Sequence, residues 1–149
     1  MLKLILRVSY LYLVLLSFSS CKSQNKVGNE SADGSIMELI LKDNYSGAVA
    51  EEVLLIKDQK SLRQFFATIN RTRKPGLPIP EIDFQKDMLL VWCEGETTAP
   101  TLGLKLEKET SEAYFFGKLH PKKKAKNTAI ISPFLAYKLP LSDKKVIVK

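Results

Sequence analysis

The stretch EEVLLIKDQKSLRQFFATIN, residues 51–70, decides the fold because it carries two different hydrophobic patterns in succession. Residues 51–58 form a short apolar run of strand length. Further along, the apolar residues recur at i, i+3, i+4 and i+7, which is the spacing of one face of a helix. These residues are Leu62, Phe65, Phe66 and Ile69. With Asp58 available as a helix cap, the stretch predicts a strand followed by an amphipathic helix.

Short apolar runs of strand length make up most of the chain on both sides of this stretch. Turn residues and charge clusters separate them, and prolines prevent regular structure across 71–81. The predicted strands lie at 36–42, 51–58, 87–96, 101–109, 112–120, 128–132, 134–140 and 144–149. We therefore predict a single domain over 36–149 of the α+β class, with a mostly antiparallel sheet and one clear amphipathic helix packed on it.

The beginning of the chain predicts export. Lys3 and Arg7 precede an apolar run at 8–16, and small residues follow, which is the order of a signal peptide. A stable membrane span needs about 20 apolar residues, and this run is shorter. We expect a lipoprotein signal peptide at 1–20 and a polar, flexible tether over 21–35. An ordinary secretory signal and an uncleaved anchor are the alternatives.

The residues around Cys21 indicate where the protein is attached. Phe18-Ser19-Ser20-Cys21 resembles a bacterial lipobox, in which the cysteine is acylated and becomes the first residue. Such acyl chains hold a small domain at a bilayer without a membrane span. By resemblance to lipoprotein sorting rules, Lys22 permits transfer to the outer membrane. We expect lipidation at Cys21 and a periplasm-facing outer-membrane protein, with the cell surface as the alternative.

Three blocks of the sequence resemble the PrcB C-terminal domain family. The central block is PEIDFQKDMLLV at 80–91, followed by Glu94-Gly95-Glu96, and the strand and helix at 53–69 and the segment 132–140 also match. Asp83, Phe84 and Gly95 are the structural residues of this motif. The turn over 97–103 departs from the family, because its paired glycines and tyrosine are missing. The family takes its name from a lipid-anchored subunit that accompanies a surface protease, so the resemblance implies an accessory or binding domain.

The sequence offers little for catalysis. His120 is the only histidine, and the chain lacks the common metal, nucleophile-elbow and phosphate-loop motifs. We therefore expect no catalytic activity, no metal and no cofactor. A thiol enzyme built on Cys93 and His120 is a weaker hypothesis, since it requires adjacent strands with both side chains on one face. The formal net charge of +7 is spread along the chain, which indicates no nucleic-acid partner.

The candidate partner-binding residues are basic and aromatic. Lys122, Lys123, Lys124 and Lys126 form the densest charge cluster, in a loop expected to be exposed between two strands. Phe115 is expected to point away from its aromatic neighbours, because consecutive strand residues face opposite sides. The leading hypothesis is a lipid-anchored accessory domain that binds another envelope protein, such as a protease or complex subunit, or acts like a chaperone. The alternative is a module that binds a small molecule or envelope polysaccharide through the sheet and the 71–81 loop.

Overall fold

The computed structural model describes residues 36–122 and 129–149. The predicted signal peptide, Cys21 and the tether lie outside these residues, as do Lys123, Lys124 and Lys126. Within the described residues, no helix is long and apolar enough to cross a membrane. The elements follow in the order β1 (Glu38–Asp43), β2 (Glu52–Ile56), α1 (Gln59–Asn70), β3 (Asp87–Cys93), β4 (Gly103–Glu109), β5 (Ala113–Leu119), β6 (Phe134–Pro140) and β7 (Lys145–Val148).

A four-stranded antiparallel sheet with the order β1-β6-β3-β2 forms the centre of the fold. The two inner strands, β3 and β6, pair from Asp87 opposite Pro140 to Cys93 opposite Phe134. Nearly every residue of β3 is buried, on both faces of the sheet. This explains why MLLVWC, residues 88–93, is continuously apolar: a strand covered on both sides has no solvent-facing position to alternate with.

Helix α1 covers one face of this sheet. The Asp58 carboxylate accepts a hydrogen bond from the Ser61 N–H at 2.8 Å, which satisfies one of the free donors of the first turn. Leu62, Phe66 and Ile69 are buried. They share an apolar cluster with sheet residues that include Leu89, Val91, Cys93 and Phe134. Each buried side chain of this size stabilises the fold by about 1.5–3 kcal/mol.

A second sheet covers the opposite face. Its order is β4-β5-β7, with β4 and β5 antiparallel and β5 and β7 parallel. Tyr114 and Phe116 from β5 share a second apolar cluster with Trp92 from β3. The Leu104 N–H donates a hydrogen bond of 2.8 Å to the buried Tyr137 hydroxyl, which joins the two sheets directly. This bond gives both the Tyr137 hydroxyl and the Leu104 N–H a partner, as buried polar groups require.

The broad α+β class is confirmed, and two details differ from the prediction. The prediction had one sheet, whereas the structure has two. A single helix covers only one face of a sheet, so a central sheet that is apolar on both faces needs the second sheet to cover the other face. The predicted strand at 128–132 is wrong for its described residues, since Ile131 and Ser132 form only isolated bridges. The strands on either side of the lysine-rich segment, β5 and β6, belong to different sheets.

Candidate functional site

Three chain connections meet at one end of the central sheet. They lie at 44–51 between β1 and β2, at 94–102 between β3 and β4, and at 120–133 between β5 and β6. The strand register brings them together, because Phe134 pairs with both Cys93 and Asp43, and Cys93 also pairs with Glu52. We call the described residues of these connections, 44–51, 94–102, 120–122 and 129–133, the loop platform.

Backbone hydrogen bonds connect the three parts of the loop platform. Thr97 and Ile131 exchange both N–H···O bonds, at 2.8 and 3.0 Å. The Ser132 N–H donates to the Asn44 carbonyl at 3.2 Å, and the Ser132 carbonyl accepts from Ser46 at 2.6 Å. Because the bonds cross from one connection to the next, the platform is held as one surface and not as three independent loops.

Gly95 allows two of these connections to approach closely. It is buried, and its φ of +80° lies in the left-handed region that glycine adopts without strain. A Cβ at this position would lie 2.8 Å from the Ala50 carbonyl carbon and 3.0 Å from the Val49 oxygen. The next residue, Glu96, donates its N–H to that same Val49 oxygen at 3.1 Å. The glycine predicted to be structural is therefore the point where two loops touch.

Two polar side chains, those of Glu94 and Lys42, bind the backbone of the 94–102 connection. The Glu94 carboxylate accepts the Thr101 N–H at 3.0 and 3.1 Å. The Lys42 ammonium donates to the carbonyl oxygens of Thr101 and Leu102, at 3.3 and 3.2 Å. Burial raises the pKa of Glu94, against the opposing effect of the Thr101 N–H and two lysines. These contacts fix the turn over 97–103, in which Leu102 is exposed.

Large apolar side chains are exposed on and beside this platform. Val49 is 75% exposed, Ile130 68% and Leu102 57%, and Tyr45 and Leu119 are also exposed. Single exposed apolar residues are ordinary on protein surfaces, whereas a group of them marks an interaction site. These side chains are carried by loops that are hydrogen-bonded to one another, so they are presented in a fixed arrangement suited to binding.

The structure separates the predicted partner-binding residues. Lys122 is exposed on the loop platform. Phe115 lies instead on the outer face of the three-stranded sheet, half-buried, with the Lys149 ammonium 5.3 Å from its ring centre. Phe115 therefore belongs to a different surface from the lysine-rich connection.

The predicted motif residues Asp83 and Phe84 occupy structural positions. The Asp83 carboxylate accepts the Gln85 N–H at 3.1 Å and pairs with Lys86 at 3.1 Å, which lowers the Asp83 pKa. Its carbonyl accepts the N–H groups of Lys86 and Asp87 in the turn before β3. Phe84 packs against the helix-side core. Together with Gly95, these two residues shape the entry and exit of the central strand.

The thiol pair required by the enzyme hypothesis is not assembled. Cys93 faces the helix-side cluster, whereas His120 follows β5 in the sheet on the opposite side. The neighbours of β3 are β2 and β6, so β5 does not supply the adjacent strand. Burial raises the pKa of the Cys93 thiol to about 11, which keeps it protonated and unreactive near neutral pH. Across 36–122 and 129–149, no group of three His, Cys, Asp or Glu residues is placed to hold a metal.

A shallow groove lies beside the 71–81 loop named in the small-ligand alternative. Its volume is about 430 Å³, and it is lined by Gln59, Arg63, Ile79, Pro80, Glu81 and Ile82. The loop itself is fixed, because the Arg73 guanidinium pairs with the Asp43 carboxylate and donates to the Tyr45 carbonyl at 2.7 Å. The Asn70 side chain also bonds the backbone of Leu77. The groove is therefore a formed surface feature, and none of its lining residues belongs to the loop platform.

No protein family model matches the chain, and no curated protein or solved structure matches it. Sequence reasoning missed Val49 because it is a single large apolar residue in a connection, and it missed Leu102 and Ile130 because they fell within the predicted strands 101–109 and 128–132. Their common location arises from pairing between strands that are far apart in the sequence.

Proposed function

We propose that this chain is a lipid-anchored envelope protein whose domain binds another envelope protein through the loop platform and has no catalytic activity of its own. The observation that carries the proposal is the group of exposed apolar side chains on loops that are hydrogen-bonded to one another. Aromatic and aliphatic anchors of this kind supply much of the affinity of protein interfaces. The partner is a protease or another complex subunit, or a client in a chaperone-like role.

The sequence supports the remaining parts of this proposal. The lipobox-like segment ending at Cys21 favours lipid attachment, and Lys22 favours the periplasmic face of the outer membrane. The motif with Asp83 and Phe84 favours kinship with the PrcB C-terminal domain. We also infer that α1 is the amphipathic helix of that fold, supported by the burial of its apolar residues against the central sheet.

The lysine-rich connection gives the partner's chemistry. Val49, Leu102 and Ile130 offer an apolar centre, and the run containing Lys122 and Lys123 places positive charge beside it in the sequence. A matching partner has an apolar patch with an acidic border. Apolar contacts provide affinity, whereas the charges accelerate association and make it dependent on salt. Removing one well-packed apolar anchor is expected to cost about 1–2 kcal/mol of binding free energy.

Photo-crosslinking in the native host tests this proposal. A photoreactive amino acid is placed at Val49, Leu102 or Ile130 in separate full-length variants, and at Ile79 as the matched control. Ile79 is apolar and 43% exposed, but it lines the groove beside Gln59 and Arg63 of α1 and is not part of the platform. We expect the same envelope protein to be captured from all three platform positions and not from Ile79. Equal capture from Ile79, or no common product at the platform, contradicts the proposal.

The anchor is tested in the same cells with Cys21→Ala. If lipid attachment brings the domain to its partner, the crosslinked product should be lost or strongly reduced in this variant. Mass analysis of the N-terminal peptide of the unchanged protein should show acyl chains on Cys21. If the Cys21→Ala protein gave the crosslink in full yield, the proposal of partner binding would stand, but the role of the anchor would be refuted.

The groove beside the proline-rich loop supports a second candidate function, the binding of a small molecule or envelope polysaccharide. Arg63, Glu81 and Gln59 provide polar groups there, and Ile79 and Ile82 provide apolar surface. Most small-ligand sites combine these features in a concave surface. Calorimetric titration of the full chain with soluble envelope glycan fragments should give a binding signal that Arg63→Gln weakens and Lys60→Gln leaves unchanged. An unaltered signal in Arg63→Gln would exclude the groove.

A further inference from the structure

The outer face of the three-stranded sheet has a different chemistry from the loop platform. In the strand register, Phe115 lies between Lys108 and Ile147 of the two neighbouring strands, and Gly117 lies opposite Lys105. Residues paired across strands have their side chains on the same face. Ala113 pairs with Lys145 on this face, and Lys149 reaches over the Phe115 ring. We call this surface, with its exposed lysines Lys105, Lys108, Lys145 and Lys149, the basic sheet face.

The lysines of this face are left without acidic partners. Within the described part of the chain, ion pairs involve Lys57, Lys86, Lys118, Lys138 and Lys144, and none of the four lysines of the basic sheet face. The acidic side chain placed on the same face is Glu107, whose carboxylate lies over Gly117. The surface therefore has an excess of positive charge that is not neutralised within the domain, and it attracts an anionic partner.

We propose that the basic sheet face docks on a bilayer surface that contains anionic phospholipids. The face measures roughly 10 Å across its three strands and about 13 Å from Lys145 to Lys149, given ordinary strand spacings. Lysines dispersed over a surface of this size match a plane of headgroups better than a single acidic group. Phe115 and Ile147, which is 37% exposed, lie at its centre and provide the apolar contact with the interface.

This inference rests on the proposed lipid anchor, which keeps the domain close to the bilayer. It also orients the loop platform. When the basic sheet face lies on the bilayer, the strands run along the membrane plane, and the platform at the strand ends faces sideways. Val49, Leu102 and Ile130 then stay accessible to a partner in the same membrane. Membrane contact and partner binding therefore use separate surfaces, and each can be disrupted without the other.

The test is lysine labelling of the full-length lipidated protein reconstituted in vesicles. One set contains phosphatidylcholine alone, and the other also contains phosphatidylglycerol. A membrane-impermeant amine reagent is added, and the labelling rate of each lysine is read by mass spectrometry. We expect Lys108 and Lys145 to be labelled several-fold more slowly in the anionic vesicles, whereas Lys60 on α1 is unchanged. High salt should abolish the difference, since the Debye length falls from about 10 Å at 0.1 M to about 3 Å at 1 M.

Two matched variants make the result specific. Lys105→Gln/Lys149→Gln removes two charges from the basic sheet face, and each removal is expected to weaken docking about fivefold. The control Lys60→Gln/Lys74→Gln removes two exposed lysines elsewhere and should retain the full protection of Lys108 and Lys145. Equal protection in both variants would overturn the proposal. Folding is monitored by near-ultraviolet circular dichroism, because these exposed substitutions should leave the core intact.

Other outcomes separate this inference from the proposed function. Equal labelling rates in the two vesicle types refute docking on anionic lipid, while acylation of Cys21 and the platform crosslinks are measured independently. Protection by soluble polyglutamate without protection by anionic vesicles also refutes it and identifies the surface as a binding site for an acidic polymer. If the N-terminal peptide has no lipid and yet the anionic vesicles protect Lys108, the sheet face binds membranes and the proposed anchor fails.

Discussion

Replacing Gly95 by alanine tests how closely the two connections of the loop platform approach each other. At a φ of +80°, a residue with a Cβ is disfavoured by about 1–2 kcal/mol. The added methyl group would also lie 2.8 Å from the Ala50 carbonyl carbon and 3.0 Å from the Glu51 nitrogen. Both are backbone atoms, so a loop has to move, and overpacking of this kind costs about 1–3 kcal/mol. We expect Gly95→Ala to lower the free energy of unfolding by about 2–5 kcal/mol.

The assay is urea denaturation followed by the fluorescence of Trp92, the single tryptophan, which is fully buried. Gly47→Ala is the matched control. Gly47 has a φ of +78°, but a Cβ added there would lie 3.6 Å from the Tyr45 hydroxyl oxygen and 3.8 Å from the ring carbon that bears it, which are ordinary contact distances. That variant should lose only the conformational part, about 1–2 kcal/mol. If the two variants are destabilised equally, the close approach of the loops at Gly95 is refuted.

Two further predictions concern titratable groups. Because burial raises the pKa of Cys93 to about 11, about 0.1% of the thiol is ionised at pH 8. Iodoacetamide should therefore modify Cys93 about 100-fold more slowly than a thiol of pKa 9.0. An equal rate of modification in the presence and absence of urea would contradict this. Partial burial by itself raises the pKa of Asp43, but the hydrogen bond and charge of Arg73, together with backbone hydrogen bonds from Tyr45 and Asn44, hold that pKa below 3.8. The pair therefore stabilises the fold above pH 3.8, and this contribution is lost as the pH falls through the lower folded value. Arg73→Gln should cost about 1–3 kcal/mol at pH 7 and reduce the acid dependence measured by denaturation; an unchanged acid profile would refute the coupling.

The local parts of the fold were predictable because their signals are contained in short segments. The 3.6-residue spacing of Leu62, Phe66 and Ile69 predicted the helix position, and the cap at Asp58 predicted its start. The continuous run of apolar residues before Cys93 indicated a strand, but its periodicity could not show that both faces of the strand are covered. The second sheet follows from contacts between distant segments, such as Leu104 with Tyr137, which no local pattern records.

The candidate surfaces, too, were predictable only where their signal lies within a short segment. The lysine-rich connection was visible as a charge cluster, and the alternation of β5 predicted that Phe115 points away from Tyr114 and Phe116. The loop platform was not predictable, because it is formed where β1 and β3 end and β2 and β6 begin. The basic sheet face escaped detection for a related reason. Most of the C-terminal third of the sequence separates Lys108 from Lys145. The two lysines come to lie on one face only because their strands, β4 and β7, both pair with β5.

The position of β6 inside the central sheet has a consequence for biogenesis. This strand is the last of the four to be synthesised, yet it lies between β1 and β3 and pairs with both. The first strand consequently waits for a partner about 90 residues further along the chain, and contacts of such long range form slowly. A nascent chain that ends before Phe134 has two unpaired strand edges and uncovered apolar faces. The central sheet therefore cannot form completely before β6 has been synthesised, and a chain that terminates earlier is a substrate for proteases and not a partial domain.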